Sequence, residues 1–114
     1  MLKIINGKQL KKLLDTGVDV TVVNVLDRAS FDEGHISGSI NIPAGEIETA
    51  ASRLGNKDAF IVVHCASSAC SASDTAGEKL RQMGYKNVRR FKGGIEEWKQ
   101  SGFSLVGRTN EKAA

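Results

Sequence analysis

Phe60-Ile61-Val62-Val63-His64-Cys65, followed by Ala66-Ser67-Ser68-Ala69-Cys70-Ser71, is the stretch on which the reading of this chain turns. Four consecutive apolar residues, two of them valine, predict a strand buried on both faces. The small residues that follow cannot extend that strand. Beyond them, Ala72, Ala76, Leu80 and Met83 recur at helical spacing up to Gly84, which predicts a helix from Ser71 to Met83. Cys65 is therefore expected at the carboxyl end of a buried strand and at the mouth of a helix N-terminus. Unpaired amides and the positive end of the helix dipole converge on such a place. A thiol there is expected to titrate low and to act as a nucleophile. A loop without bulky side chains can curl its amides around an anion.

The same alternation of strand and helix continues on either side. Ile4-Ile5 reads as a short first strand, and Asn6 as the cap of a helix carrying Leu10, Leu13 and Leu14, ending near Gly17. Thr21 to Leu26 is β-branched and mostly apolar, as a buried parallel strand should be. A polar stretch with Phe31 leads to a short strand around Ser39–Ile42, closed by Pro43. Residues 44–54 read as a helix, with Ile47, Ala50, Ala51 and Leu54 on one face. Asn87 to Lys92 is a further strand, Gly93-Gly94 a turn, and Ile95 to Ser101 a short helix containing Trp98. Ser71 with Asp74 resembles a capping box in which Asp replaces Glu. The expectation is an α/β domain over residues 1–106, followed by a polar, flexible tail over residues 107–114.

The bulk numbers narrow the function classes. The chain has 114 residues, a formal net charge of +3 and 25% charged residues, without a block of like charges. Nothing combines basic and aromatic residues into a nucleic-acid platform, so the basic balance reads as solubility. No apolar run is long enough to cross a bilayer, and the apolar opening is too short for a signal-peptide core. No membrane association is expected, and the default location is the cytoplasm. Two cysteines five positions apart do not make a secreted disulfide framework. In a reducing compartment such a pair points to catalysis, redox chemistry or metal.

Four stretches together resemble a single-domain rhodanese, the sulfurtransferase family. They are Phe31-Asp32-Glu33-Gly34-His35-Ile36-Ser37-Gly38, Asn41-Ile42-Pro43, the strand–Cys65–loop–helix unit, and Gly93-Gly94-Ile95 with Trp98. The resemblance implies a three-layer rhodanese-like domain, with a mainly parallel sheet of about five strands and helices on both faces. It implies that Cys65 is the catalytic residue and takes a sulfane sulfur as a persulfide. The amides of Ala66, Ser67, Ser68, Ala69, Cys70 and Ser71 would cradle that sulfur. The donor would be a small persulfide, polysulfide, thiosulfate or protein persulfide, the acceptor a thiol or cyanide, and no metal or organic cofactor would take part.

Departures from the family pattern matter. Rhodaneses commonly carry arginine right after the nucleophile and at the sixth loop position, where this chain has Ala66 and Cys70. They commonly end the early strand in Asp-Val-Arg, where this chain has Asn24-Val25-Leu26. Fewer guanidinium groups disfavour doubly charged thiosulfate and favour persulfide or polysulfide. Related phosphatases carry a loop one residue longer that ends in arginine; position 71 here is serine, which argues against phosphate chemistry. Arg28, Arg89, Arg90 and Lys92 read mainly as solvated charges at the rim.

Cys70 has two readings: a spare small residue, or a resolving thiol that forms a disulfide with Cys65. His35 and His64 do not complete a metal site with the cysteines, because strand neighbours such as His64 and Cys65 point to opposite faces and no Cys-x-x-Cys exists. His35 reads as a structural residue near the sheet edge, Phe91 and Trp98 as core, Asp74 as a cap. Two alternatives to the enzyme remain: a rhodanese-fold sulfur carrier that is not itself an enzyme, and a thiol redox module built on Cys65 and Cys70.

Overall fold

A computed structural model describes residues 2–107. The chain runs β1 (Lys3–Ile5), α1 (Gly7–Asp15), β2 (Val20–Asn24), α2 (Arg28–Glu33), β3 (Ile40–Asn41), α3 (Ile47–Ala50), β4 (Phe60–His64), α4 (Ala72–Gln82), β5 (Asn87–Phe91) and α5 (Gly94–Gln100). All strand pairs are parallel, in the spatial order β1-β5-β4-β2-β3. The expected α/β layering with a parallel five-stranded sheet is what the chain forms. β4 lies at the centre, paired with β2 through Val23↔Val63 and with β5 through Val63↔Arg90.

Alternation along β4 divides its side chains between two cores. Ile61, Val63 and Cys65 face a cluster with Ile47 of α3, Ala76 and Leu80 of α4, and Val88 of β5. Val62 faces the other layer, with Leu10 of α1, Phe91, and Trp98 of α5. Ile61, Val62 and Val63 are fully buried, worth roughly 1.5–3 kcal/mol each in burial as an upper estimate. Cys65 therefore leaves a strand that cannot shift cheaply. Phe91 and Trp98 belong to the core, as their sequence context predicts; the Trp98 indole donates to the Ser104 carbonyl at 2.9 Å.

Local chemistry explains most boundaries. Asn6 caps α1 reciprocally with Gln9, each side chain meeting the other's amide at 2.8 Å. Three expectations shift. The polar stretch with Phe31 contains α2, which Asp27 caps by accepting from the Ser30 amide at 2.8 Å. Residues 44–54 form a short α-turn between two 3-10 segments rather than one helix, although Ile47, Ala51 and Leu54 still share the buried face. Ser71 is the residue before α4 but makes no side-chain cap, because its backbone (φ −93°, ψ −3°) is helical rather than extended. The Ser71–Asp74 capping box is therefore not formed, and Asp74 is exposed in the first turn.

Beyond α5, Val106 and His35 exchange backbone hydrogen bonds of 2.9 Å, and the His35 ring stacks on Phe31 at 3.9 Å. Apart from Gly107, the expected polar tail lies outside the described residues. No described helix is long and apolar enough to cross a membrane.

Candidate active site

Cys65 sits one residue past β4, with its backbone clamped by the turn that opens α5. The Ile95 amide donates to the Cys65 carbonyl at 3.1 Å, and the Glu96 amide to the Ala66 carbonyl at 2.8 Å. This approach requires glycine at position 94. Gly94 has φ +59°, and a Cβ there would collide with the Cys65 carbonyl oxygen. The Gly93-Gly94 turn thus holds down the start of the loop.

The Cys65 side chain is 1% exposed. Its thiol donates to the Cys70 carbonyl at 3.3 Å, with the Ser73 hydroxyl at 3.5 Å and the Ser67 carbonyl at 4.0 Å. Cys65 and Cys70 lie 2.7 Å apart, and neither is in a disulfide. The Ser73 amide points at the Cys65 sulfur, while the Ala66 and Ala72 amides point at the Cys70 sulfur. The α4 N-terminus therefore addresses sulfur with its amides at positions 72 and 73. The Cys70 amide instead donates to the Ser67 carbonyl at 3.1 Å, tightening the loop.

This arrangement reverses the expected acidity. Burial pushes the Cys65 thiol up, and its hydrogen bond with Cys70 adds to the rise, against smaller lowering by Ser73. Burial also acts to raise Cys70. The hydrogen bond from Cys65, the Ala72 and Ala66 amides and the Arg90 charge outweigh it and hold Cys70 below the usual thiol value. Their contacts thus push the two thiols in opposite directions, Cys65 up and Cys70 down. A low-titrating Cys65 is thus not what the free pair presents, because burial and its neighbour override the helix dipole.

Sequence reasoning underrated Arg90. The residue is 9% exposed; its Nε donates to the Ser73 hydroxyl at 2.9 Å and its Nη2 to the Cys70 carbonyl at 3.0 Å. No carboxylate lies within ion-pair distance of it among the described residues. The signal was present in the strand: Arg90 lies two residues from inward-facing Val88, hence on the same face, and pairs with Val63 on the face that carries Cys65. Ser73 was missed because it lies beyond the loop, on the buried side of the first turn of α4. Arg28 is exposed and paired with Asp32 at 3.0 Å, away from the sulfurs' hydrogen-bond network.

His64 points to the opposite sheet face, its ring 6.0 Å from Phe91. It is fully buried, and its Nδ1 faces the Cys65 carbonyl at 3.0 Å. A carbonyl accepts, so Nδ1 carries the proton and Nε2 is a bare acceptor. Burial lowers the His64 pKa to about 4, against a smaller raising effect of that hydrogen bond. Among the described residues Nε2 has no partner, and neither has Nδ2 of the fully buried Asn24, its register neighbour across β2 and β4. One is an acceptor and the other a donor, which suits a single bridging water.

A cleft of about 590 Å³ opens beside Ala66, lined also by Leu26, Ile95, Glu33, Glu96 and Lys99. A smaller one, about 310 Å³, lies beside Ser68 and Lys92. The loop forms part of the wall of both.

The chain is thus an α/β domain with a cysteine pair at the carboxyl edge of its parallel sheet, facing a helix N-terminus. The rhodanese-like domain family matches residues 6–101, and the chain belongs to that family. Thiosulfate sulfurtransferase GlpE of Pseudomonas aeruginosa is 34% identical over 94 residues, covering 81% of this chain and 79% of that protein. The putative sulfur carrier protein YrkF of Bacillus subtilis is 26% identical over 95 residues, covering 82% of this chain. The chain spans 49% of that protein and 38% of another curated relative. Among solved structures, the BH2092 protein of Bacillus halodurans superposes with a TM-score of 0.87 at 27% identity, covering 94% of this chain and 78% of that one.

Proposed function

We propose that the chain is a sulfurtransferase that carries sulfane sulfur as a persulfide on Cys65. The observation that carries this reading is the convergence of the Ala66, Ala72 and Ser73 amides on the Cys65–Cys70 pair. Such donors hold the negative charge of a thiolate or a terminal persulfide sulfur in a dry site.

Loss of the Cys65 proton, which the departing RS⁻ takes up, leaves charge on Cys65 facing the Ser73 amide and hydroxyl. The Cys65 thiolate attacks the outer sulfur of a donor R–S–SH; the S–S bond breaks, RS⁻ leaves, and Cys65–S–SH remains. A thiolate or cyanide then attacks that outer sulfur, and Cys65 departs as thiolate. Because Cys65 is 1% exposed, the donor reaches it as the half-buried Cys70 side chain swings aside, from the cleft beside Ala66.

The loop Ala66–Ser71 carries no arginine or lysine, and the cleft is bordered by Glu33 and Glu96 as well as Lys99. Small persulfides and polysulfides are therefore better donors than dianionic thiosulfate. The chemistry needs reduced thiols, which fits a reducing compartment such as the cytoplasm.

The burial of Cys65 also supports a second reading, a sulfur carrier that accepts and delivers one sulfur in contact with a partner protein. Excess polysulfide and cyanide separate the two. Above the protein-free background, an enzyme yields many thiocyanates per chain, a carrier about one, and Cys65→Ser none. Equal thiocyanate formation by Cys65→Ser would refute both.

A further inference from the structure

Resting on the persulfide chemistry just proposed, we infer a second activity of the same site: reductive discharge of the Cys65 persulfide as sulfide, with Cys70 as the resolving thiol and Arg90 as its positioning residue. Cys70 attacks the Cys65 sulfur of Cys65–S–SH. The Cys65–Cys70 bond forms, the bond to the outer sulfur breaks, and that sulfur leaves as HS⁻. Two cysteine thiols are oxidised to one disulfide, and the sulfane sulfur takes up both electrons. A dithiol reductant restores the pair by exchange.

Three independent features support this. The cysteines lie 2.7 Å apart without a bond between them, so a disulfide, about 2.05 Å between sulfurs, needs only a small side-chain movement. The Ala66 and Ala72 amides are aimed at the Cys70 sulfur, so the loop prepares a second nucleophile rather than a spare side chain. Arg90 is a buried guanidinium with no carboxylate within ion-pair distance among the described residues. An uncompensated buried cation is costly. Its two hydrogen bonds, to the Cys70 carbonyl and the Ser73 hydroxyl, bring that charge to the two residues that border the sulfurs. The Cys70 thiolate and the departing HS⁻ supply the missing anion. Plain sulfur transfer does not require a second thiol at this distance.

The test uses the reduced full chain and one equivalent of glutathione persulfide, without added reductant. Freed glutathione is removed rapidly by gel filtration, sulfide is trapped as a fluorescent adduct, and intact mass is recorded. The wild type should release about one sulfide per chain and end two hydrogens lighter, with Cys65 and Cys70 in one disulfide-linked peptide. Cys70→Ser and Cys70→Ala should release roughly tenfold less sulfide and hold one additional sulfur atom on Cys65. Arg90→Lys, which keeps the charge but loses the two-pronged contact, should slow the wild-type release. A wild type that keeps the extra sulfur and releases none would overturn the inference while leaving sulfur transfer standing. Equal sulfide from the wild type and both Cys70 variants would also overturn it. No sulfur uptake by any of these proteins would sink the persulfide reading along with it.

Discussion

Taking the protein from about pH 7 to about pH 5 should weaken the fold by about 2 kcal/mol through His64 alone. The ring is fully buried, and burial lowers its pKa from 6.5 to about 4. Above pH 6.5 it is neutral in folded and unfolded chains alike, and its contribution is fully present. As the pH falls below 6.5, the unfolded chain gains a proton that the folded chain refuses until about pH 4. Stability then drops by about 1.4 kcal/mol per pH unit. The window from 6.5 to 5 gives ~2 kcal/mol, and stopping at pH 5 keeps most carboxylates ionised. Urea unfolding followed by Trp98 fluorescence reads this as a fall of about 1 M in midpoint, for a slope of about 2 kcal/mol per molar. His64→Gln removes this pH-dependent contribution, since glutamine does not titrate, so the offset between variant and wild type changes between pH 7 and pH 5. The variant should therefore lose less on acidification by that same ~2 kcal/mol. Equal losses in both proteins would refute the assignment of a neutral, buried His64.

The remaining predictions concern the site. Limiting iodoacetamide near neutral pH should alkylate Cys70 before Cys65, as peptide mass mapping would show; preferential labelling of Cys65 would contradict the charge ordering of the pair. Gly94→Ala should cost about 1–2 kcal/mol from its positive φ alone, with more from the collision with the Cys65 carbonyl, and should depress thiocyanate formation. Unchanged stability and activity would show that the α5 turn does not clamp the loop. Arg90→Met should move the pH profile of Cys70 alkylation to higher pH, because Arg90 helps hold that thiol down; an unmoved profile would count against the contact.

Much of the fold was readable because its strands advertise themselves. Thr21–Val25 and Phe60–Val63 are β-branched or apolar runs that only a doubly covered parallel sheet accommodates. Asn6 announced the start of α1 by its capping chemistry. By contrast, α2 has no buried residue and hence no apolar stripe to read. Residues 44–54 keep helical spacing at Ile47, Ala51 and Leu54 while their backbone alternates between 3-10 and α geometry; periodicity of burial does not separate the two.

At the site, Cys65 was legible from a strand ending in a thiol before a small-residue loop. The acidity order was not, because it depends on tertiary contacts. Ala66 and Ala72 lie on either side of Cys70 in the folded loop, and Arg90 arrives from β5. The helix-dipole argument is correct as to sign and was outweighed at Cys65 by burial.

The most direct measurement is peptide mass mapping after brief exposure to a sulfane-sulfur donor, with the Cys70→Ala background used to trap the adduct. The account predicts one added sulfur atom on the peptide containing Cys65, removed by cyanide, and no adduct once Cys65 is also changed to Ser. An unmodified Cys65, or an added sulfur that survives Cys65→Ser, would contradict it.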